Sequence, residues 1–343
     1  MKGVLLVNLG SPDSPTPKDV KPYLDEFLMD ERVIDVPLWL RNIIVRGIIL
    51  QTRPKKSAEA YQKIWWDEGS PLIVISERFQ HKVAEQLDIP VVLGMRYGSM
   101  SIKGALQELR DKGVDDVLLV PLYPHYAMSS YETVVVKTME DQEAHFPDMR
   151  ITTLPPFYKN KDYIKVLADK IADGLKDFEY DHILFSYHGI PERHIRKSDP
   201  TKFHCKINDQ CCSTNSVAHN TCYRHQCFDT TKRVIQELGW SADKMSNSFQ
   251  SRLPNDPWLK PYTDFELERF PNEGIKRLAV ITPAFVSDCL ETLEEIAMEG
   301  KDQFLEAGGE TYKHIPCLND DKPWVSVMAN WVKDWETKEI LPM

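Results

Sequence analysis

The segment "ILFSYHGIPERH" (183–194) runs an apolar stretch into a turn at His188, with Gly189 and Pro191 behind it. That pattern reads as a buried strand ending at the lip of a sheet. A histidine there is suited to accept a proton near neutral pH, or to bind a metal while neutral. A second stretch, "SDCLETLEEI" (287–296), spaces Asp288, Glu291 and Glu295 by three and then four residues. On an α-helix this spacing predicts three carboxylates on one stripe, with Leu290, Leu293 and Ile296 on the buried side. Like charges in a row repel unless cations or protons neutralise them, so the row suits cations moving inward or protons moving outward. The competing reading is a solvated acidic face. A third set is aromatic and basic: Arg96-Tyr97, Tyr123 and Tyr126 in "PLYPHYAMSSYE", and Trp258 in "QSRLPNDPWLKPYTD". Singly, such residues plug core edges. Together at one mouth they suit a large flat apolar ligand with acidic edges.

These groups need elements to hold them. "GVLLVNLG", "IPVVLGMRYG" and "VDDVLLVPLYP" read as strands, with helical "PKDVKPYLDEFLMD", "SPLIVISERFQHKVAEQL" and "SIKGALQELRDKG" between them. Apolar strands alternating with amphipathic helices predict a parallel, doubly wound α/β sheet. The second half repeats the plan. "YDHILFSYHGIP" resembles "KGVLLVNLGSP", and "IKRLAVITPAFVSDCLETLEEI" resembles "VDDVLLVPLYPHYAMSSYETVV". Two similar Rossmann-like domains follow, 1–160 and 161–343, the second carrying the C-terminal helix, with a cleft expected between them outside the carboxyl ends of the strands. No GxGxxG follows a strand and no GxxxxGK[ST] occurs, so a nucleotide cofactor is not expected.

A length of 343 residues fits two domains, and 42% hydrophobic with 27% charged residues is ordinary for a globular chain. The 52 acidic residues outnumber the 42 basic ones, giving a net charge of −10 that argues against nucleic acid as a partner. The start, "MKGVLLVNLGSPDSP", reads as a first strand, not a secretory signal, and no run of ~18 apolar residues offers a membrane span. A cytoplasmic location is therefore expected. The nearest approach to a membrane element is "VPLWLRNIIVRGIIL" (36–50), broken by Arg41 and Arg46; it predicts an amphipathic helix packed on its own core, or a ligand- or membrane-facing lip over about 36–56.

Six strings in order, "LLVNLGSPDSP", "TRPKKSAEAYQKIW...EGSPL", "GMRYGS" with "VPLYPHYAMSS", "SYHGIPERH", "SFQSR...PWLKPYTD" and "PAFVSDCLETLEEI", resemble the ferrochelatases over nearly the whole chain. That family inserts ferrous iron into a porphyrin to form haem. The resemblance implies a chelatase-like fold and places His188 in the role of the active-site histidine. Asp288, Glu291 and Glu295 fall on the carboxylates of the acidic helix, and Trp258 on a site tryptophan. Fe²⁺ and a porphyrin are then the substrates, with His188 and Glu291 handling the metal and Glu295 relaying charge. Tyr97 and Tyr123 would line the ring, Arg53 or Arg96 would pair with propionates, and Gly189 would leave room for the macrocycle. Protoporphyrin IX and coproporphyrin III both remain candidates, the apolar lip favouring the former and peripheral contact with the inner face of a membrane. The alternatives are a cobalt or nickel chelatase acting on another tetrapyrrole, and a non-catalytic haem- or iron-binding protein.

One segment departs from the plain family pattern. Residues about 198–227 hold Cys205, Cys211, Cys212, Cys222 and Cys227, five of the seven cysteines. Four thiolates suffice for a [2Fe–2S] cluster, which some ferrochelatases carry. Cys227, or one of the adjacent pair, is then spare. Zinc with help from His204, His219 or His225, and no metal at all, stay open, because the spacing matches no CxxC pattern. Cys289, inside the acidic stretch, reads as a pocket-lining residue and not a nucleophile.

Overall fold

The computed structural model describes residues 1–253 and 256–342. The chain forms two compact units, one of residues 1–122, 128–155 and 319–342, the other of residues 123–127 and 156–318.

In the first unit β1 (Lys2–Asn8), β2 (Val91–Met95), β3 (Asp116–Pro121) and β4 (Arg150–Thr153) make an all-parallel sheet in the order β2-β1-β3-β4. Val4, Leu5, Leu6 and Val7 are fully buried, as expected for a central strand covered on both faces. The predicted helices form at Pro17–Leu28, Pro71–Ala84 and Ile102–Asp111. Pro71 opens its helix, where no backbone donor is needed, and the Ser101 hydroxyl caps the next by accepting from Gly104 N. The apolar stretch after residue 36 forms a short α-helix (Leu38–Asn42), a π-helix (Ile43–Ile49) and a longer α-helix (Leu50–Ile64). Leu38 and Trp39 are 62% and 67% exposed, and Ile43 and Ile48 are also exposed. Arg41, by contrast, is buried and donates to the carbonyls of Met29 and Val36.

In the second unit β5 (His182–His188), β6 (Met245–Gln250), β7 (Arg277–Ile281) and β8 (Thr311–Ile315) pair in the same sense and order, β6-β5-β7-β8. Chain direction across such a sheet reverses between its first and third strands, so the carboxyl ends of β5 and β7 flank a switch point. His188 closes β5, and the acidic stretch follows β7.

One assignment differs from the sequence reading. The C-terminal helix, Lys322–Lys338, joins the first unit, not the second. Its apolar stripe carries Trp324, Met328, Trp331 and Trp335, all buried. Trp324 stacks on Phe79 at 5.9 Å, and Lys2 donates to the carbonyl of Trp335 at 3.2 Å. The aromatic stripe finds its partner surface in the first unit, and burial follows composition, not chain order.

Candidate active site

His188 is built by β5. Ile183 to Tyr187 are fully buried, so the strand is fixed along its length and only its last side chain reaches an accessible edge. The His188 Nδ1 lies 2.6 Å from the carbonyl oxygen of Gly189. A carbonyl only accepts, so Nδ1 carries the proton and Nε2 keeps its lone pair. Burial pushes the imidazole below its ordinary range, while the charge of Glu291 pulls it back up. The charge of Glu291 therefore reaches the His188 imidazole. The ring also meets Phe285 edge-on at 6.1 Å, a neighbour the sequence reading did not pick.

The acidic stretch is not the expected α-helix. Glu291–Gly300 is a π-helix, whose i→i+5 bonds widen each turn so that residues four apart nearly eclipse. Glu291, Glu295 and Glu299 thus share a row that runs to the exposed surface. Asp288 precedes the π-helix and leaves that row. It is 4% exposed and accepts from the Thr292 hydroxyl at 2.8 Å and the Cys317 N–H at 3.3 Å. Its observed partners tie the start of the helix to the strand end at Cys317. The buried side is likewise altered: Thr292, Glu294, Ile296 and Gly300 are buried, and Leu290 and Leu293 only partly so.

Two residues that the sequence reading left unassigned hold the row. Gln250, at the end of β6 and 2% exposed, donates from Nε2 to the Glu291 carbonyl (2.9 Å) and to Glu295 Oε2 (3.3 Å). The Ser186 hydroxyl on β5 donates to Gln250 Oε1, fixing the amide's orientation. Ser251 adopts φ +67°, a left-handed conformation that is costly for serine, and its hydroxyl donates to Glu295 at 2.5 Å. Burial raises the Glu295 carboxyl to about 7; the Ser251 and Gln250 hydrogen bonds oppose this, and the charge of Glu291 adds to it. A cavity of about 180 Å³ opens beside it, lined by Gln250, Ser251, Arg252, Asp264 and Glu299 among others.

The proposed ring contacts fare differently. Arg53, Arg96 and Tyr97 belong to the first unit. Arg53 is exposed and has no ion pair among the described residues. Arg96 is committed: its guanidinium donates to Asp30 (2.5 Å) and to the Thr133 hydroxyl (2.8 Å). Tyr97, 1% exposed, donates to the same Asp30 oxygen at 2.9 Å. An internal carboxylate thus occupies the fork expected for a propionate. Tyr123 lies in the second unit and is partly exposed. Trp258 is 8% exposed and packs behind the His188 turn, where its segment bridges Pro191. Gly189 does not make room for a ligand. A Cβ there would lie 2.7 Å from the Gln250 carbonyl and 3.2 Å from the Trp258 ring. The glycine is needed for protein–protein closeness inside the fold.

In the insert, Cys205, Cys211, Cys222 and Cys227 are buried, Cys212 is partly exposed, and none is in a disulfide. Burial and the neighbouring thiols push the Cys212, Cys222 and Cys227 thiols up. Cys211 turns away and donates its thiol to the Asn208 carbonyl at 3.2 Å. Arg224 donates to the Cys212 sulfur at 3.0 Å while pairing with Asp209. Asp199 accepts from the backbone N–H groups of Thr201, His204 and Cys205, closing the loop that begins the insert. Burial opposes ionisation of Asp199, but these bonds and the Thr201 hydroxyl carry it down to about 2. Among the described residues no group of three or more His, Cys, Asp or Glu side chains is arranged to hold a metal ion. His204 and His219 bond the Cys211 carbonyl and His225 the Cys212 carbonyl, so each has one ring nitrogen on backbone.

The family model for ferrochelatase matches residues 1–335. A ferrochelatase from Opitutus terrae is 52% identical over 337 residues, covering 97% of each chain. One from Azotobacter vinelandii is 46% identical over 328 residues, covering 95% of this chain and 96% of its own. Among solved structures, SirB from Bacillus subtilis with Fe³⁺ covers 98% of this chain and 96% of its own, with a TM-score of 0.56 at 11% identity. A cobalt complex of the sirohydrochlorin chelatase SirB covers 98% and 97%, with a TM-score of 0.54 at 9% identity. At these identities the solved structures speak to the fold, which they share. With the family model spanning nearly all of the sequence and relatives near half identity along their full lengths, this chain belongs to the ferrochelatase family.

Proposed function

We propose that this chain inserts Fe²⁺ into a porphyrin at the carboxyl edge of the second sheet, with His188 and Glu291 as the groups that act on the metal and the pyrrole protons. Metallation exchanges two pyrrole N–H protons for one Fe²⁺ that sheds its water. The observation that carries the reading is the opposition of His188 and Glu291, with the Nε2 lone pair left free by the Nδ1–H bond to Gly189. Nε2 accepts a pyrrole proton or first holds the iron, and the Glu291 carboxylate is a hard oxygen donor for a divalent cation. Glu295, nearly balanced between its two charge states at neutral pH, passes protons along the row toward Glu299. Replacing His188 with alanine is expected to cut iron or zinc insertion by about 10²–10⁴-fold while porphyrin binding, read by fluorescence quenching, persists. Near-normal turnover in H188A would end the assignment.

The exposed Leu38, Trp39, Ile43 and Ile48 support an apolar rim suited to a two-propionate porphyrin or to contact with a membrane surface. No helix among the described residues is long and apolar enough to cross a membrane. Side-by-side assays with protoporphyrin IX and coproporphyrin III test the substrate, and a cytoplasmic location with peripheral membrane contact is the matching reading.

The cysteines of the insert motivate a [2Fe–2S] reading that a direct measurement can test. Such a cluster takes two cysteine sulfurs per iron besides its bridging sulfides, and Cys205, Cys212, Cys222 and Cys227 offer four thiols, three buried and that of Cys212 partly exposed. When bound, it would supply one-electron redox chemistry and cross-link the insert. Arg224 would donate a charge-assisted bond to one ligand sulfur. Anaerobically purified protein should show the visible absorption of the cluster and matching iron and sulfide; colourless, iron-free protein would remove it.

A further inference from the structure

The acidic row is held from behind by a buried polar chain, all of it in the second unit. β5 and β6 pair with Ser186 beside Ser248 and His188 beside Gln250, so the period of two puts these four on one face of the sheet. Thr263, the first residue of the helix Thr263–Asn272, brings its hydroxyl to 2.9 Å from Ser186 Oγ and 2.8 Å from Ser248 Oγ. All of these chain members are buried. Each hydroxyl has one hydrogen, and the acceptors decide where it goes. The Glu291 carbonyl only accepts, so Gln250 turns its amide N–H toward it and its Oε1 toward Ser186. That oxygen also only accepts, so the Ser186 hydrogen goes to it, at 3.0 Å. The bond between Ser186 and Thr263 is then donated by Thr263, and the bond between Thr263 and Ser248 by Ser248. The direction is fixed from end to end: Ser248 to Thr263 to Ser186 to Gln250, and from Gln250 to the Glu291 carbonyl and Glu295. Bonds aligned in this way polarise one another. Apolar side chains of the same shape would fill this space with little loss of stability, so packing alone does not account for three hydroxyls here.

We propose that Ser186 and Thr263 are positioning residues for metal insertion: their oriented hydroxyls hold the Gln250 amide in the one orientation that offers N–H groups to the backbone of Glu291 and the carboxylate of Glu295. An amide turned end for end would set its oxygen against the Glu291 carbonyl and the Glu295 carboxylate, acceptor against acceptor. The start of the acidic π-helix would then lose its tie to β6. Both residues act through Gln250 and not on the metal. Their effect on turnover rests on the reading of Glu291 as a group that acts on the metal.

The test measures steady-state metal insertion in S186A, T263V, T263S and Q250M, and in Q250M combined with each of the first two. S186A is expected to lower kcat about five- to tenfold, the size of one buried hydrogen bond, with KM for porphyrin unchanged. T263V, one bond further from the amide, should lower it about threefold, and T263S, which keeps the hydroxyl, should stay within about 1.5-fold of wild type. Methionine at 250 keeps the length and removes the amide, so on that background S186A and T263V should change kcat by less than about 1.5-fold. A packing defect would act whatever stood at 250, so the vanishing of the effect separates positioning from a merely structural role. Porphyrin affinity and the thermal midpoint are read on the same samples. Should T263V fail to fold, S186A with and without Q250M decides. A kcat for S186A within about twofold of wild type, or a loss undiminished beside Q250M, would overturn the positioning role. E291Q keeps the two failures apart: normal turnover in E291Q removes the Glu291 reading itself, whereas a disabled E291Q beside a normal S186A overturns the positioning role alone.

Discussion

The two units have the same strand order and diverge chemically at the same place. In each, the residue at the tip of the second-paired strand reaches toward a π-helix opening after the third, Met128–Glu132 in one and Glu291–Gly300 in the other. In the first unit that residue is Arg96, held between Asp30 and Thr133, and Glu132 lies 3.4 Å from Arg32. Each acid there has a cation. In the second unit the position is taken by Gln250, which is neutral and holds Glu291 by its backbone carbonyl. Among the described residues no cation pairs with the Glu291 carboxylate, and its charge acts on His188. At the matching tip of the central strand the first unit has Leu9 and the second His188. The lesson is that one scaffold becomes a sealed edge or an open site according to whether the carboxylate after the third strand is neutralised from within. Fold alone did not decide it.

The sharpest way to break the comparison is to neutralise the paired glutamates. E291Q keeps the shape and removes the charge. Metal insertion should fall by about 10²-fold, the scale of a lost acid–base or charge-stabilising group. E132Q should stay within about twofold, since a partly exposed ion pair contributes only about 0–1 kcal/mol. Equal losses in steady-state assays would mean that the two acids are not differentiated as described.

Much of this was legible in the chain. β1, β3, β5 and β7 are apolar runs, and each was readable because central parallel strands are buried on both faces. The positions of His188 at the end of β5 and of Glu291 after β7 followed from such runs. The edge strands β4, β6 and β8 were not: "RITT", "MSNSFQ" and "TYKHI" are polar, being half-covered. Gln250 was hidden in one of them. The π-helix was missed because acids at four-residue spacing satisfy an α-helix equally well, and the α reading put Asp288 on a row that the structure starts at Glu291. The difference between the adjacent Cys211 and Cys212 was unreadable; the short helix Asp209–Ser213 turns the Cys211 sulfur to the Asn208 carbonyl, while Arg224 donates to that of Cys212.

A second substitution moves the second unit's chemistry into the first. R96Q leaves the Asp30 carboxylate, 5% exposed, without its guanidinium. Burial opposes ionisation of Asp30, but hydrogen bonds from Thr133 and the Arg32 N–H, the charge of Arg96 and the Tyr97 hydroxyl together hold it below its ordinary value. Removing one partner of such a pair should destabilise the protein by about 3 kcal/mol in chemical denaturation. A lowered carboxyl stabilises the fold above its unfolded value and loses that contribution as pH falls through the lowered one, so the deficit of R96Q should shrink in acid. Turnover at saturating porphyrin should change less than threefold. An intact stability with a tenfold higher porphyrin KM would return Arg96 to the role of a propionate partner.

The smallest effect concerns Glu295, which has no ion pair on its side of the comparison and is raised by burial to about 7. Below that pH it is neutral and cannot accept a proton from the row; above it, it can. Turnover should therefore rise about threefold between pH 6 and pH 8 in the wild type, and E295Q should be flat across the same window at the lower level. Stability runs the other way. A carboxyl raised from 4.5 to about 7 gives its full contribution below 4.5 and loses it as pH climbs through 7. Wild type should then lose about 2 kcal/mol relative to E295Q between pH 5 and pH 8. The two slopes are opposite in sign, and the stability loss, which runs from 4.5 upward, levels off where the rate climbs through about 7, so one titrating group explains both. A pH–rate rise that survives in E295Q would assign the midpoint elsewhere and leave the row beyond Glu291 without a part in proton release.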